Sequence, residues 1–268
     1  MMAKLDINKI GFFHVDNPSS PIESPRESLH EHLEAARGHL SDCVVALPEA
    51  FNYWPYSGNG SLDISMENYL KQLSDRFNVA FVAGLIENRD GGKLGYSSAC
   101  LIDGYDLCHT LSYKSEEDGL VGYQPYSNIY NKPLLHRGVY IAALICMDAS
   151  NSANSGGIKD REKAIKRFCG RVEKLKQIPK DHRLAFCIPS RMDQNASAEM
   201  AEDWHKRWLP DSVVILANAP TRTSKKPSVI RPEGTLVSCE CRGGNALRIV
   251  SWPEKSDVEP CSHSASAR

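Results

Sequence analysis

Three residues with reactive or charged side chains, Glu49, Lys114 and Cys146, each stand where an apolar stretch of strand length ends. A cysteine is a nucleophile only as its thiolate, so it needs a neighbouring base that accepts its proton or a positive charge that lowers its pKa. A glutamate can supply the base and a lysine the positive charge. The three residue types together indicate covalent chemistry at an electrophilic carbon.

Attack on an amide or nitrile carbon builds negative charge on oxygen or nitrogen, which Lys114 and backbone N–H groups can stabilise in a water-poor pocket. Glu49 can pass the thiol proton to the leaving amine and later activate the hydrolytic water. One set of residues then serves both half-reactions. The alternative for the same thiol is a Cys-His pair with a histidine near a strand end, and the candidates are His14, His109 and His136.

The chain alternates apolar runs of strand length with longer charged segments of helical periodicity, which is typical of an α/β layer architecture. In such sheets, ligand clefts form at the carboxyl ends of the strands. Since Glu49, Lys114 and Cys146 all follow predicted strands, we expect their side chains to converge in one cleft.

Several segments carry clear helix or hairpin signals. Ser24 is expected to cap a helix that begins at Pro25. The basic residues between 159 and 176 are interpreted as a solvated helix face rather than as a surface for an acidic partner. The last strands, from Arg231 to Val250, are predicted to form a hairpin. Further helices are predicted at about 62–77, 159–178 and 199–208.

The bulk composition favours a single domain that binds a small molecule. A chain of 268 residues with 41% hydrophobic content can bury one sizeable core. We therefore expect one domain over residues 1–252 and a flexible tail over 253–268. The formal net charge of -1 gives no reason to expect nucleic acid or a membrane as partner. The first residues lack a signal-peptide core, so a cytoplasmic location is expected.

The nine cysteines are scattered and contain no CxxC pair. They therefore do not form the closely spaced pairs that are typical of zinc sites, and no metal is predicted. Cys239 and Cys241 would lie on the same face of a strand and could not easily form a disulfide with each other. Most of these thiols are interpreted as reduced packing residues.

Three short motifs carry a resemblance to a known family. They are Val44 to Glu49, which ends in Leu-Pro-Glu, then Ser112 to Lys114, and Ala143 to Asp148, which contains Cys-Met-Asp. In their order and context they resemble the nitrilase, or carbon-nitrogen hydrolase, superfamily, which uses a Glu-Lys-Cys set in this chain order. The strand that ends at Asn218 and the Pro-Glu-Gly turn at 232–234 are also similar to that family.

The resemblance implies a four-layer α-β-β-α sandwich and an amidase-type hydrolase that forms a covalent thioester or thioimidate on Cys146. It implies an oxyanion site made by Lys114 and the N–H of Met147 and no metal or organic cofactor. It also implies dimerisation through one helical layer, in a homodimer or a larger homo-oligomer. From their position just after Glu49, the aromatic residues Tyr53 and Trp54 are expected either to line the substrate pocket or to pack in the core.

The sequence departs from the family pattern in two places. Many members carry a second glutamate several residues beyond the lysine, but 120–124 contains none, and Glu116 and Glu117 lie closer to Lys114 than that pattern requires. The aromatic-Pro-Glu that often follows Cys-x-Asp is replaced by the residues 149–152. Two alternatives therefore stay open: a nitrile hydrolase, which would use the same residues, and a catalytically silent member that binds a small molecule or a partner protein.

Overall fold

The computed structural model describes the chain from Asp6 to Trp252 with gaps. The described residues are 6–15, 24–55, 60–88, 94–115, 126, 130–149, 161–191, 196–219, 229–231, 237–238 and 245–252. Within them the chain forms two six-stranded sheets, one two-stranded ribbon and four α-helices.

The α-helices separate groups of strands along the chain. The bounds of the strands are β1 (Lys9–His14), β2 (Cys43–Ala46), β3 (Tyr53–Trp54), β4 (Ser61–Leu62), β5 (Val79–Asn88), β6 (Leu94–Asp103), β7 (Leu107–Tyr113), β8 (Leu134–His136), β9 (Val139–Ala143), β10 (Arg183–Ser190), β11 (Val213–Asn218), β12 (Val229–Arg231), β13 (Val237–Ser238) and β14 (Ala246–Ser251). The α-helices are α1 (Pro25–Ala35), α2 (Met66–Phe77), α3 (Arg161–Lys176) and α4 (Ala196–Asp203). The longest uninterrupted group of strands runs from β5 to β9.

The two large sheets have matching centres of parallel strands. The first sheet has the order β14-β1-β2-β5-β6-β7, in which β1, β2 and β5 are parallel to one another. The second has the order β13-β12-β11-β10-β9-β8, in which β9, β10 and β11 are parallel. The ribbon pairs β3 with β4. Carboxyl ends of neighbouring strands therefore lie at one edge of each sheet.

Alternating side chains of β2 show how the first sheet is covered on both faces. Val44 and Ala46 pack in the core that the first sheet shares with the second, whereas Cys43 and Val45 pack in the core beneath α1 and α2. A strand that is buried on both faces is apolar throughout, which explains the continuous run in the sequence.

The second sheet is covered on its outer face by α3 and by the segment that follows α4. Phe168 of α3 lies 5.5 Å from the ring of Trp204, and Phe186 of β10 lies 4.4 Å from the same ring. Trp204 begins a π-helix, Trp204–Trp208, that continues α4. The layers are therefore helix, sheet, sheet and helix, which is the four-layer α-β-β-α sandwich that the resemblance implied.

The helix signals in the sequence were mostly correct. Ser24 caps α1, since its hydroxyl accepts a hydrogen bond from the backbone N–H of Arg26 at 3.3 Å, and Pro25 is the first helical residue. The helix predicted from about residue 62 begins only at Met66, because Ser61 and Leu62 pair with the β3 strand.

The predicted C-terminal hairpin is confirmed for β12 and β13 and is wrong for the last strand, β14. Val229 of β12 pairs with Ser238 of β13, but β14 leaves this sheet and pairs antiparallel with β1 of the other sheet, where Ile10 lies opposite Val250. The predicted tail, 253–268, lies outside the described residues. Among the residues described, no helix is both long and apolar enough to cross a membrane.

Candidate active site

The three residues singled out by the sequence follow strands of both sheets. Glu49 stands three positions after the last residue of β2, and Lys114 directly follows β7, so both belong to the first sheet. Cys146 begins a short 3-10 helix, Cys146–Ala149, that follows β9 of the second sheet. The site therefore lies where strand ends of the two sheets meet.

Glu49 and Lys114 form a buried ion pair. The Lys114 ammonium donates a hydrogen bond to Oε1 of Glu49 across 2.6 Å, and the side chains of Lys114 and Glu49 are only 2% and 1% exposed, respectively. The backbone N–H of Lys114 donates to the carbonyl of Ser97 at 2.8 Å, which holds the lysine at the end of β7. A charged pair so far from water interacts more strongly than one at the surface.

Two neighbouring strands fix the backbone of Glu49. Its N–H donates to the carbonyl of Ser190, at the end of β10, with an N···O distance of 3.4 Å. On the other side, Gly84 of β5 packs so closely that a Cβ there would lie 2.6 Å from the Glu49 Cα and 2.8 Å from the carbonyl oxygen of Pro48. The absence of a side chain at Gly84 is therefore required for this approach.

Cys146 is a strained and buried residue. Its φ of 45° lies in the left-handed region, which is uncommon for a residue other than glycine and is typical of functional sites. Burial raises the pKa of the thiol to about 11, the positive charge of Lys114 opposes this shift, and the negative charge of Glu49 adds to it. Near neutral pH the thiol therefore keeps its proton until a base removes it.

Two groups at the end of β10 stabilise the thiolate form of Cys146. The backbone N–H of Arg191 and the hydroxyl of Ser190 lie beside the thiol and lower its pKa, although less than burial raises it. Ser190 is fully buried. Sequence reasoning missed both residues, yet the same signal that pointed to Glu49, a polar residue at the end of an apolar strand, is present at Ser190.

A buried network joins the segments after Lys114 and Cys146. Asp148 accepts hydrogen bonds from the backbone N–H of Ser115 at 2.9 Å and from its hydroxyl at 3.2 Å. Arg171 of α3 pairs with the same carboxylate at 3.1 Å, donates to the carbonyl of Asp148 at 3.2 Å and also donates to the Ser115 hydroxyl. The network fixes the position of the lysine relative to the cysteine.

Arg171 corrects the interpretation of the basic helix. Lys166, Lys174 and Lys176 are exposed on α3, as expected for a solvated face. Arg171 is 3% exposed and faces the site instead. A long basic side chain is buried in this way only when a paired carboxylate compensates its charge, and Asp148 provides that partner.

The predicted substrate-binding residues lie at two places. Met147 is in the 3-10 helix directly after Cys146, while its side chain lies outside the described part of the chain. Tyr53 is 6% exposed and packs in the core beneath α1 and α2, and Trp54 packs against that core. Of the two readings of this aromatic pair, the structure places it in core packing, and contact with a substrate stays a prediction.

The main charged and polar neighbours of the Cys146 thiol do not include the candidate histidines of a Cys-His pair. The groups that shift the pKa of Cys146 most are Lys114, Glu49, Arg191 and Ser190, and none is a histidine. His136 is engaged elsewhere, since its Nε2 lies 2.6 Å from Oδ2 of Asp103.

Two other predictions lie partly or wholly outside the described residues. Glu116 and Glu117, the alternatives for the second glutamate, are outside them, as are residues 150–152. Within the described residues, no group of three or more His, Cys, Asp or Glu side chains is placed to hold a metal ion.

Solved structures of an amidase from Nesterenkonia match the chain over most of its length. A serine-for-cysteine mutant of the Nesterenkonia AN1 amidase, from the nitrilase superfamily, has a TM-score of 0.61 and 15% sequence identity, and the match covers 92% of this chain and 92% of that chain. The amidase from Nesterenkonia sp. matches with the same score and identity over 94% and 93%. The chain has the fold of the nitrilase superfamily. No family model and no curated protein matches it by sequence.

A third neighbour carries information on its own active site. In a glutamate mutant of the Nesterenkonia sp. AN1 amidase, the acetamide moiety of fluoroacetamide is added covalently at the active site cysteine; this structure has a TM-score of 0.58 and 15% identity over 94% of this chain and 93% of that one. At this identity the likeness establishes the nitrilase fold, and the expectation of a four-layer α/β sandwich is confirmed.

Proposed function

We propose that the chain is a hydrolase that cleaves a non-peptide carbon-nitrogen bond, with an amide as substrate and Cys146 as nucleophile. The observation that carries this proposal is the buried Glu49–Lys114 pair, 2.6 Å apart, whose two charges act in opposite directions on the thiol of Cys146. The nitrilase fold, which the chain shares with amidases, supports the same conclusion.

In the first half-reaction, Glu49 takes the proton of Cys146 as the sulfur attacks the amide carbon. This role follows from the thiol pKa of about 11, because a thiol with that value needs a base close by at neutral pH. Lys114 and the N–H of Met147 stabilise the negative charge that develops on the amide oxygen. The C–N bond breaks, Glu49 donates the proton to the leaving nitrogen, and a thioester remains on the sulfur.

In the second half-reaction, water replaces the departed amine. Glu49 accepts a proton from this water as its oxygen attacks the thioester carbon, and the oxyanion is again stabilised by Lys114. The C–S bond breaks, the thiolate regains the proton, and a carboxylic acid leaves. A nitrile would pass through a thioimidate on the same sulfur. The amide is favoured because the structural neighbours are amidases.

Small amides are the proposed substrate class. The neighbouring amidase has been captured with acrylamide in a double mutant and with an acetamide moiety on its active site cysteine in a single mutant. The site of this chain has the charge pattern suited to a neutral amide, since Glu49 and Lys114 already compensate each other. A charged substrate would need a further partner.

Ammonia release from a panel of amides, ureido compounds and nitriles tests the proposal. The intact chain is expected to release ammonia from at least one small amide, and Cys146→Ala is expected to release none, because no thioester can form. Activity that survives in Cys146→Ala would show that Cys146 is not the nucleophile. A lack of turnover, with no acyl adduct on Cys146 by mass spectrometry, would favour the catalytically silent reading.

The proposed assembly is a homodimer formed through one helical layer. Ile165 on α3 is 39% exposed and lies on the outer surface of the sandwich, so a contact through this helical layer can be tested at this residue. Sedimentation velocity of the full chain should show a dimer, and Ile165→Glu should shift it towards the monomer if this helix is the contact. If both proteins are monomers, the proposed dimer is wrong, and the proposed hydrolase mechanism is unaffected.

A further inference from the structure

Two cysteines outside the site lie on facing strands of the first sheet. Cys100 of β6 is opposite Thr110 of β7, and Ile102 is opposite Cys108. Because side chains two positions apart on a strand share a face, Cys100 and Cys108 are diagonal neighbours on the same face of the sheet. Cys108 is exposed, whereas Cys100 is buried beside it with 7% exposure.

Hydroxyl groups surround the buried member of this pair. The hydroxyl of Ser98 lies 3.4 Å from the Cys100 sulfur, and that of Thr110 lies 3.8 Å from it. The Cys108 thiol contributes most to lowering the pKa of Cys100, which falls to about 7 in spite of burial, and the Ser98 and Thr110 hydroxyls add to this effect. The pKa of Cys108 is raised in turn, mainly because it keeps the proton that it shares with Cys100.

Two other buried thiols, Cys43 and Cys187, lack such an environment. Burial raises the pKa values of Cys43 and Cys187, with no side-chain hydrogen bond among the causes for either. A thiol reacts as its thiolate and needs access to the reagent. The pair therefore combines two properties that these buried thiols lack, namely a stabilised thiolate in Cys100 and an exposed partner in Cys108.

We propose that Cys100 and Cys108 form a peroxide-reactive dithiol site that closes to an intramolecular disulfide. The Cys100 thiolate attacks one oxygen of hydrogen peroxide, the O–O bond breaks, and Cys100 becomes a sulfenic acid as hydroxide leaves. The sulfur of Cys108 then attacks the sulfenic sulfur. The S–O bond breaks, the disulfide forms, and the proton of Cys108 leaves with the departing oxygen as water. The two thiols lose two electrons in total, which the peroxide accepts.

The position of the pair in the sheet permits the closure. Diagonal neighbours have Cα atoms about 7–8 Å apart, slightly beyond the usual span of a disulfide, so one strand must shift. The strand β7 is the last in the described order of its sheet, and its pairing with β6 already shifts register between Ala99 and Cys100. At Leu111 and Ser112, β7 is also bonded to residues 131–132 on its other side, so the shift is confined to the end of β7 that carries Cys108.

The site is independent of the proposed hydrolase activity, although it shares a strand with it. Lys114 directly follows β7. Closure would draw Cys108 towards β6, and the displacement would be transmitted along the same strand. Mass spectrometry of the cysteine-containing peptides detects the modification directly and needs no substrate. Its result therefore does not depend on whether the chain hydrolyses amides.

The experiment treats the full chain with equimolar hydrogen peroxide, blocks free thiols with iodoacetamide and digests with trypsin. Cys100 and Cys108 lie in one tryptic peptide, residues 94–114. The expected product is this peptide with two hydrogens fewer and no alkylation on either cysteine, while Cys169, an exposed thiol on α3, is still alkylated. Full alkylation of the 94–114 peptide while Cys169 is oxidised would overturn the proposal.

Variants separate the two steps. Cys108→Ser should abolish the disulfide and leave Cys100 as a sulfenic acid that dimedone traps. Ser98→Ala removes one hydroxyl donor and should slow the reaction of Cys100 with peroxide, whereas Ser28→Ala, a buried hydroxyl on α1, should leave the rate unchanged. Unchanged disulfide formation in Cys108→Ser, with another thiol as partner of Cys100, would show that the pair is not the site.

The pH dependence of alkylation gives a second readout that does not require a variant to fold. With a pKa of about 7, the alkylation rate of Cys100 in the wild-type chain should fall about ten-fold between pH 8 and pH 6. The alkylation rate of an ordinary thiol with a pKa of about 8.5 would fall about 75-fold over the same range. A fall of about 75-fold in the alkylation rate of Cys100 would show that its thiolate is not stabilised and would overturn the proposal.

Discussion

The ammonium of Lys114 lies 2.6 Å from the carboxylate of Glu49, and both side chains are almost completely removed from water. The partners come from different strands of one sheet, β7 and β2, so the tertiary fold alone brings them together. Each charge is tolerated in the interior because the other compensates it. The pair is therefore both a structural element and the centre of the proposed chemistry.

Removing the positive charge at Lys114 should cost stability as well as activity. In Lys114→Met the carboxylate of Glu49 stays buried without its ammonium, and loss of one partner of a buried pair typically destabilises by about 3–5 kcal/mol. Urea unfolding monitored by circular dichroism measures this change. The double variant Glu49→Gln with Lys114→Met should be less destabilised than Lys114→Met alone. An equal or larger loss of stability in the double variant would show that the unpaired carboxylate of Glu49 is not the cause of the destabilisation.

Glu49→Gln should change turnover and thiol reactivity in opposite directions. The negative charge of Glu49 raises the pKa of Cys146, so its removal lowers that pKa and leaves more thiolate at neutral pH. Alkylation of Cys146 by iodoacetamide at pH 7.5 should then be faster than in the wild type, while ammonia release is lost with the base. Lys114→Met should slow the alkylation, because Lys114 lowers the same pKa. Slower alkylation in both variants would contradict this assignment of charges.

The hydroxyl of Ser190 should contribute to the reactivity of Cys146 without being needed for the fold. Because it lowers the thiol pKa, Ser190→Ala should raise that pKa above its value of about 11 and move the alkylation profile of Cys146 to higher pH. Stopped-flow alkylation as a function of pH measures the shift. Ser28→Ala, which removes a buried hydroxyl from α1, is the matched control and should leave the profile in place. An unmoved profile in Ser190→Ala would show that the Ser190 hydroxyl does not lower the pKa of Cys146.

The strand ends of the site were predictable because they depend on local patterns. Glu49, Lys114 and Cys146 each follow an apolar run, and the structure places a strand before each of them. The close pairing of Glu49 with Lys114 agrees with the predicted convergence. Period, composition and strand length are properties of a short window of sequence, and the parallel arrangement of strands then puts the ends at one edge.

The parts that sequence reasoning missed depend on long-range partners. The final strand, β14, was recognised as a strand, but its pairing with β1 rather than with its neighbour in sequence is decided by which sheet edge is open. Arg171 lies in a basic helix and carries no local sign that it is buried. Its partner Asp148 is far away in sequence, so only the packing of α3 on the second sheet reveals the pair.

Breaking the Arg171–Asp148 pair should therefore destabilise the protein and misplace Lys114. Arg171→Met leaves the carboxylate of Asp148 buried and removes donors to its carbonyl and to the Ser115 hydroxyl, so a loss of about 3–5 kcal/mol is expected in urea unfolding. The matched control is Arg207→Met, which breaks an exposed pair with Asp203 and should cost at most about 1 kcal/mol. Similar losses of stability in the two variants would show that the buried network stabilises the protein no more than an exposed ion pair does.

The contact between Gly84 and Glu49 gives a test of site geometry that changes no charge. In Gly84→Ala the new Cβ would lie 2.6 Å from the Glu49 Cα and 2.8 Å from the Pro48 carbonyl oxygen. Both are backbone atoms and cannot rotate away, so Glu49 must move relative to β5, at a cost of about 1–3 kcal/mol for overpacking. Ammonia release should fall more steeply than stability, because a small displacement of the base is enough to slow proton transfer. Gly38→Ala meets no atom within 4 Å and should be neutral or slightly stabilising. Full activity in Gly84→Ala would mean that the position of Glu49 tolerates this shift and that the close approach of β5 does not matter for the chemistry.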